Sequence, residues 1–437
     1  MKFGHAFKEA LAAESYPSHW VDKAVPYRQL KKILGKVREE LINNGYDPDR
    51  LHQLLAEHNA EYRLESDGSQ QLRPKLVVRP SLHNLAIENS AETESEANSS
   101  NPSSPDSPHP PQLNLPDDLP RPEKPQQVLN DDNEWVDVPL DADVRFFSIL
   151  QTDVSELDTL QDKEREAMAG EIHDIGVEVA QVARPRKGLI DFSKSDLYRW
   201  REILELYLAA EIFFSTNETG GGSRNSEKAR KQLVWFQDEV NKRDLPQKFK
   251  IKSSAVAFQH FLTLNATLLQ NLQFQELNQT AITKIIKKFD KRTSLGVKKT
   301  FPKVMHSAHF ISEAISKDIC AQLSRDVLSL VPQVVDYTCI VCLSICWLPI
   351  RLDCSHLFCI RCMIKMQNRN KRYCPLCRAD VIQRANETHI DMKLVSYLEQ
   401  WFPKETKEKQ KYNEIERRKE LLGEVYVDHP PPPCVIM

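Results

Sequence analysis

Eight side chains suited to a borderline-soft metal ion lie between Cys339 and Cys377. In order they are Cys339, Cys342, Cys354, His356, Cys359, Cys362, Cys374 and Cys377. The spacing reads C-x2-C, eleven residues, C-x-H-x2-C-x2-C, eleven residues, C-x2-C. Zinc takes four tetrahedral ligands drawn from thiolate and imidazole, and each C-x2-C turn offers two from one tight bend. Eight ligands fill two complete sites. With no coordination position left open, the metals are structural, and any function belongs to the surface that they hold in shape. A zinc-stapled fold with no activity of its own would satisfy the same spacing.

A second constellation is cationic. In Leu277–Arg292, Lys284, Lys287, Lys288 and Lys291 fall at i, i+3, i+4, i+7, on one helix face. Ile282, Ile285, Ile286 and Phe289 take another face and are expected in a core. Like charges at such spacing repel by a few tenths of a kcal/mol per pair, and a dense anion would relieve the repulsion. Taken alone, a stripe of this kind is also what a solvated surface looks like. Tyr27 and Lys31 are four apart on an earlier helical segment, with Lys32 beside them and Lys2 near the N-terminus. A third feature is the ending Cys434-Val435-Ile436-Met437, the C-a-a-X pattern of farnesylation. One lipid chain gives marginal, reversible membrane binding, so weak peripheral association is the expectation.

These features need a frame to position them. The 437 residues leave room for two or three domains. Net charge is −3, so a polyanion site has to be a local patch, and the lysine stripe lacks the interleaved aromatics of a nucleic-acid surface. No nucleic-acid partner is expected. Seven of the ten cysteines belong to the metal run, and MKFGHAFKEALAAE shows no apolar signal core. A reducing compartment, cytosol or nucleus, is therefore expected. The apolar stretch Val327–Leu352 is interrupted by Asp336 and runs into the metal cysteines, so it is read as the start of the metal module and not as a membrane span.

Residues 1–65 read as helical, with Leu30, Ile33, Leu34, Val37 and Leu41 at helical spacing. Residues 78–144 are rich in Ser, Pro, Asn and acidic side chains. They cannot bury enough apolar area to offset their ordering entropy, and they read as a disordered insertion. Trp135 within it reads as linker. Helical periodicity returns at Phe146 and recurs at Lys194–Thr216, Ser226–Asp244, Ala255–Arg292 and Lys303–Leu330, with a Gly-rich loop over Ser215–Ser226. A charged helical tail follows the metal run over 388–424. The fold class is mainly α: a helical bundle over 1–330 split by the insertion, a small metal module over 336–382, and the helical tail.

The eight-ligand run resembles a RING finger of the C3HC4 type. The resemblance implies a cross-brace, with one zinc on Cys339, Cys342, Cys359 and Cys362 and the other on Cys354, His356, Cys374 and Cys377. It further implies a ubiquitin ligase that binds a ubiquitin-charged conjugating enzyme and forms no covalent intermediate. The family's contact positions fall on Ile340, Pro375 and Leu376, and its cationic bridging position falls on Arg378. The aromatic that the family often carries four residues after the sixth ligand is here Met366. By residue type alone, Ile340 and Leu376 could equally pack inside the finger's own core.

MKFG, Y-x3-K with the Lys31-Lys32 pair, and N-x-TA-x2-KI-x-KKFDK resemble an SPX domain. That family consists of helical bundles whose basic surface binds inositol polyphosphates and pyrophosphates and so reports phosphate status. The matching ligand positions are Lys2, Tyr27, Lys31, Lys284, Lys287, Lys288 and Lys291. Together the two resemblances imply a phosphate-responsive SPX-RING ubiquitin ligase, similar to the nitrogen-limitation-adaptation ligases of plants and their fungal relatives. Its partners would be a conjugating enzyme, ubiquitin and, as substrate, a membrane phosphate transporter. A non-catalytic phosphate-sensing scaffold is the alternative.

Overall fold

A computed structural model describes residues 3–66, 72–79, 135–185, 195–214, 224–304 and 313–422. The chain is mainly helical. It forms two compact units, one from residues 1–167 and 267–317, the other from 168–266 and 318–437.

The first unit holds α1 (Phe3–Ala13), α2 (Ser18–Asp22), α3 (Tyr27–Asn43) and α4 (Pro48–Ala56), then a small sheet. The spacing that predicts an amphipathic α3 is realised: Leu30, Ile33, Leu34, Val37 and Leu41 are all buried. Residues 60–65 are not helical, contrary to expectation. β1 (Ala60–Ser66) pairs antiparallel with β2 (Leu72–Val78), which pairs with β3 (Val136–Val138). The boundary of the insertion also shifts. Val78 closes β2, Val136–Val138 supply the third strand, and α5 (Asp141–Ala183) starts before Phe146. Trp135 is no bare linker residue, because the Arg79 guanidinium stands 5.8 Å from its ring. Residues 80–134 lie outside the described residues. β2 tolerates Pro74 because β3 reaches only Leu76–Val78, which leaves one side of Pro74 without a ladder partner to satisfy.

Two helices belong to this unit in part: α5, and α8 (Lys252–Thr293). Ile282, Ile285, Ile286 and Phe289 of α8 are buried, and Phe289 packs against Phe146 and Phe147 of α5. α9 (Val297–Val304) follows directly. Its first amides, Val297 N and Lys298 N, donate to the Asp290 carboxylate at 2.6 and 2.9 Å, so the Asp of KKFDK is a cap for the next helix.

The second unit contains α6 (Leu197–Ala210), α7 (Ser226–Lys242), most of α10 (Glu313–Asp326) and the metal module. Buried Asp196 accepts from Lys250 N, Ile251 N and Ser254 Oγ, and so caps the start of α8. The segment expected to be helical over Lys303–Leu330 is two helices, α9 and α10, with 305–312 outside the described residues, as are 215–223 of the Gly-rich loop. At Gly176 of α5 an added Cβ would lie 2.5 Å from the Asp326 carbonyl oxygen, so only glycine permits that approach of α10.

The metal module has two strand pairs, β4 (Thr338–Cys339) with β5 (Ser344–Ile345) and β6 (Pro349–Arg351) with β7 (Leu357–Cys359), then α11 (Ile360–Asn368). Ile350, Leu352, Phe358, Met363 and Ile382 fill its small core. The tail is α12 (Met392–Trp401) and α13 (Pro403–Leu422). Among the described residues no helix is long and apolar enough to cross a membrane.

Candidate functional site

The metal module gathers its ligands in two clusters. Cys339, Cys342, Cys359 and Cys362 form one, and Cys354, His356, Cys374 and Cys377 the other. Within each, one ligand atom per residue lies within 4.8 Å of all the others. Zn–S bonds of about 2.3 Å put tetrahedral sulfurs about 3.8 Å apart. Cys342 Sγ and Cys359 Sγ are 3.8 Å apart. His356 Nδ1 stands 3.3 Å from Cys354 Sγ and 3.7 Å from Cys374 Sγ. The donor sets, four thiolates in one cluster and three thiolates with an imidazole in the other, fit two structural zinc ions. Each cluster takes ligands from separated stretches of chain, so the metals lock loops that the small apolar core could not hold alone.

The first and last C-x2-C turns are closed the same way. Leu343 N donates to Cys339 O at 2.8 Å, and Arg378 N donates to Cys374 O at 2.9 Å. The residue after each pair is left-handed, Leu343 at φ 53° and Arg378 at φ 61°. Such a backbone costs about 1 kcal/mol or more in a non-glycine residue, so the closed turns fix where Arg378 leaves the chain.

Ile340 and Leu376 ride on these two turns. They are 46% and 52% exposed and stand outside the finger's core, which answers the question their residue types left open. Pro375 and Arg378 are exposed beside Leu376. Met366 differs: it is 9% exposed and belongs to the core cluster. A cavity of about 250 Å³ lies beside it, lined among others by Val341, Arg369 and Tyr412.

The tail is part of this site in a way that the sequence did not reveal. The Arg361 side chain of α11 donates to Asn413 O of α13 at 3.2 Å and pairs with Glu420 at 2.5 Å. Lys409 of α13 reaches Cys342 Sγ at 3.4 Å. The junction of α12 and α13 is held by α6. Arg201, 4% exposed, donates to Trp401 O at 2.7 Å, to Pro332 O at 3.0 Å and to Glu405 Oε1 at 3.4 Å.

In the first unit, α1, α3 and α8 converge around Tyr27. Its buried ring meets Phe3 edge-on at 4.9 Å, and an added Cβ on Gly4 would lie 3.3 Å from its Cδ1. The Lys284 ammonium lies 4.1 Å from the Phe3 ring centroid. Burial raises the Tyr27 hydroxyl above its ordinary range, and the Arg292 charge opposes that rise. Sequence reasoning missed Arg292, which sits one residue beyond the stripe. Lys284, Lys287 and Lys291 are exposed, while Lys288 and Lys31 are half-buried. Lys31, Lys284, Lys287 and Lys291 have no carboxylate partner among the described residues. What sets α3 against α8 is Asn278, the Asn of N-x-TA: its buried Oδ1 accepts from Val25 N at 2.9 Å, two residues before Tyr27. Lys2 and Cys434 lie outside the described residues.

A family model described as SPX domain matches residues 1–305. The chain belongs to the SPX domain family. A second model, a zinc finger of C3HC4 type (RING finger), matches residues 339–377, so this is an SPX-RING protein. It is similar to "Transcriptional regulator of yeast form adherence 3" of Candida albicans, 31% identical over 96% of this chain and 97% of that one. An uncharacterized RING finger protein of Schizosaccharomyces pombe is also 31% identical, over 95% of this chain and 96% of its own length. The finger region is 34% identical to part of the E3 ubiquitin-protein ligase rnf168 of Danio rerio, over 16% of this chain and 15% of that protein. No solved structure matches the chain. The SPX-RING architecture supports ubiquitin ligase activity in general terms.

Proposed function

We propose that the SPX-RING protein recruits a ubiquitin-charged conjugating enzyme and promotes transfer to a substrate under the control of an inositol polyphosphate. The observation that carries the ligase half is the pair of apolar side chains, Ile340 and Leu376, exposed on two turns that the metal clusters brace. Water-exposed aliphatics on rigid turns fit an apolar loop of a partner. Arg378 beside them has a planar fork able to donate to two carbonyls at once, as bridging conjugating enzyme and ubiquitin requires. The zinc ions, held by the eight ligands, supply rigidity. The chain's own residues bind and orient, so the rate gain is one of positioning with no covalent step on this protein.

The regulatory half rests on Lys31, Lys284, Lys287, Lys288 and Lys291 around Tyr27. Four of these, Lys31, Lys284, Lys287 and Lys291, find no carboxylate partner among the described residues, which favours a multiply charged phosphate ligand. Lys2 would extend this surface. A farnesyl group on Cys434 would add reversible membrane contact in the cytoplasm and bring the finger near a membrane phosphate transporter as substrate. The experiment is autoubiquitylation of the full chain with a panel of conjugating enzymes, with and without inositol pyrophosphate. Chain formation that changes with the ligand is the expected result. Zinc-loaded protein inactive with every conjugating enzyme would leave only the scaffold.

A further inference from the structure

Lys409 is an unusual cation in this fold. It is 7% exposed, and its ammonium meets three groups: Cys342 Sγ at 3.4 Å, Ser344 Oγ at 3.4 Å, and the Tyr412 ring at 4.9 Å. It has no carboxylate partner among the described residues. The other basic side chains that hold the tail do: Arg201 has Glu405, and Arg361 has Glu416 and Glu420. Burying an ammonium without an anion is strongly unfavourable, so a negative charge has to stand nearby.

The candidate anion is the first metal cluster. Four thiolates around one Zn²⁺ leave two net negative charges, whereas three thiolates and a neutral imidazole leave one. The ammonium of Lys409 points at a sulfur of the more negative set. We propose that Lys409 is the outer-sphere counter-cation of the Cys339–Cys342–Cys359–Cys362 centre, and that α13 thereby positions the turn carrying Ile340. Sequence separation hides this role, since Lys409 lies 67 residues from Cys342. Outer-shell donors of this kind orient ligands and tune metal affinity. The inference rests on the zinc and ligase readings above and adds a positioning residue from outside the finger. It also makes α13 a mechanical element: Glu405 near one end is held by Arg201 of α6, and Lys409 one turn on holds the metal turn.

The test uses the full chain loaded with zinc or cobalt(II), as wild type, Lys409→Met, Lys409→Arg and Arg361→Met. Metal is withdrawn with a chelator, and the thiolate-to-cobalt charge-transfer band is recorded. Lys409→Met is expected to speed release of one of two metals about tenfold or more and to shift the charge-transfer band. Lys409→Arg should restore both. Arg361→Met loosens α13 without removing the cation from Cys342, and should leave the band in place. Equal release rates and equal bands in wild type and Lys409→Met overturn the proposal. So does an identical effect from Arg361→Met, which would assign Lys409 to helix packing alone. Ile340→Ala is the control for the ligase reading. If that variant keeps full activity, only the Ile340 contact fails; if zinc-loaded wild type is inactive with every conjugating enzyme while Lys409→Met still loses metal, the ligase reading fails and the Lys409 inference stands.

Discussion

The Arg201 guanidinium lies over the Phe402 ring at 4.2 Å while donating to the carbonyl of Trp401 at 2.7 Å. Stacking and hydrogen bonding are thus combined in one planar, multi-donor guanidinium, a geometry that a lysine ammonium does not offer. With Pro332 O and Glu405 also engaged, one buried side chain holds the junction of α12 and α13 against α6. Arg201→Leu would leave the Trp401 and Pro332 carbonyls without their donor and the half-buried Glu405 carboxylate without its cation, keeping only the hydrogen bond from Tyr198 Oη at 2.9 Å. The expected cost is on the order of 3 kcal/mol of unfolding free energy. Thermal unfolding of the full chain, together with protease cleavage inside α13, measures it. A melting curve equal to wild type would mean that Arg201 holds nothing.

Ile340→Ala should abolish chain formation while the protein retains two zinc ions per chain, because the side chain is exposed and contributes nothing to the finger's core. Metal analysis beside the ubiquitylation assay separates loss of docking from loss of fold. Wild-type autoubiquitylation in this variant would remove Ile340 from the contact surface.

Replacing Lys287 and Lys288 together by alanine should weaken binding of inositol hexakisphosphate by about a hundredfold or more, taking charge-assisted hydrogen bonds at about 1.5–3 kcal/mol each. Calorimetry on the full chain reads this directly, and the slope of affinity against salt should fall in parallel. An unchanged affinity would place the ligand elsewhere.

Asp143 provides a pH dependence with a definite sign. It is 1% exposed, accepts from Tyr62 Oη at 3.0 Å, and burial raises its carboxyl from 3.8 to about 7. Folded Asp143 therefore keeps a proton that the unfolded chain releases. Its contribution is fully present below about pH 4 and is lost as pH rises through 7. Asp143→Asn, which stays neutral, should stabilise the protein at pH 8 by on the order of 2–4 kcal/mol and change little at pH 4. Equal pH profiles of stability for the two proteins would contradict this.

Chelation at neutral pH should unfold the metal module, since its core is small and the metals close its loops. Loss of the α11 signal in circular dichroism on chelation, and its return with zinc, is the expected outcome. A finger that keeps its structure without metal would show that its apolar core suffices.

The metal ligands and the buried faces of α3 and α8 were legible in the residues because both are local codes. A C-x2-C turn and a 3.6-residue repeat are set by covalent spacing within a few residues. The small sheet was not legible. β2 and β3 are separated by the acidic, Pro-rich insertion, Pro74 argues against a strand, and nothing in the composition near Val136 signals pairing with Val78. The same limit hid the roles of Asn278, Asp290 and Arg292: as motif letters they read as polar positions on a helix, and only packing turns them into a brace, a cap and a charge beside Tyr27.

Sequence alone thus determined which side chains can bind metal, which helices have an apolar side, and that a basic stripe exists. Tertiary structure decided which of those groups meet. It set Ile340 and Leu376 outside the core, buried Met366 within it, and brought Lys409 to Cys342. The physical reason is range: spacing fixes what a segment offers to its neighbours, whereas pairing across dozens of residues depends on the whole chain's burial and charge balance.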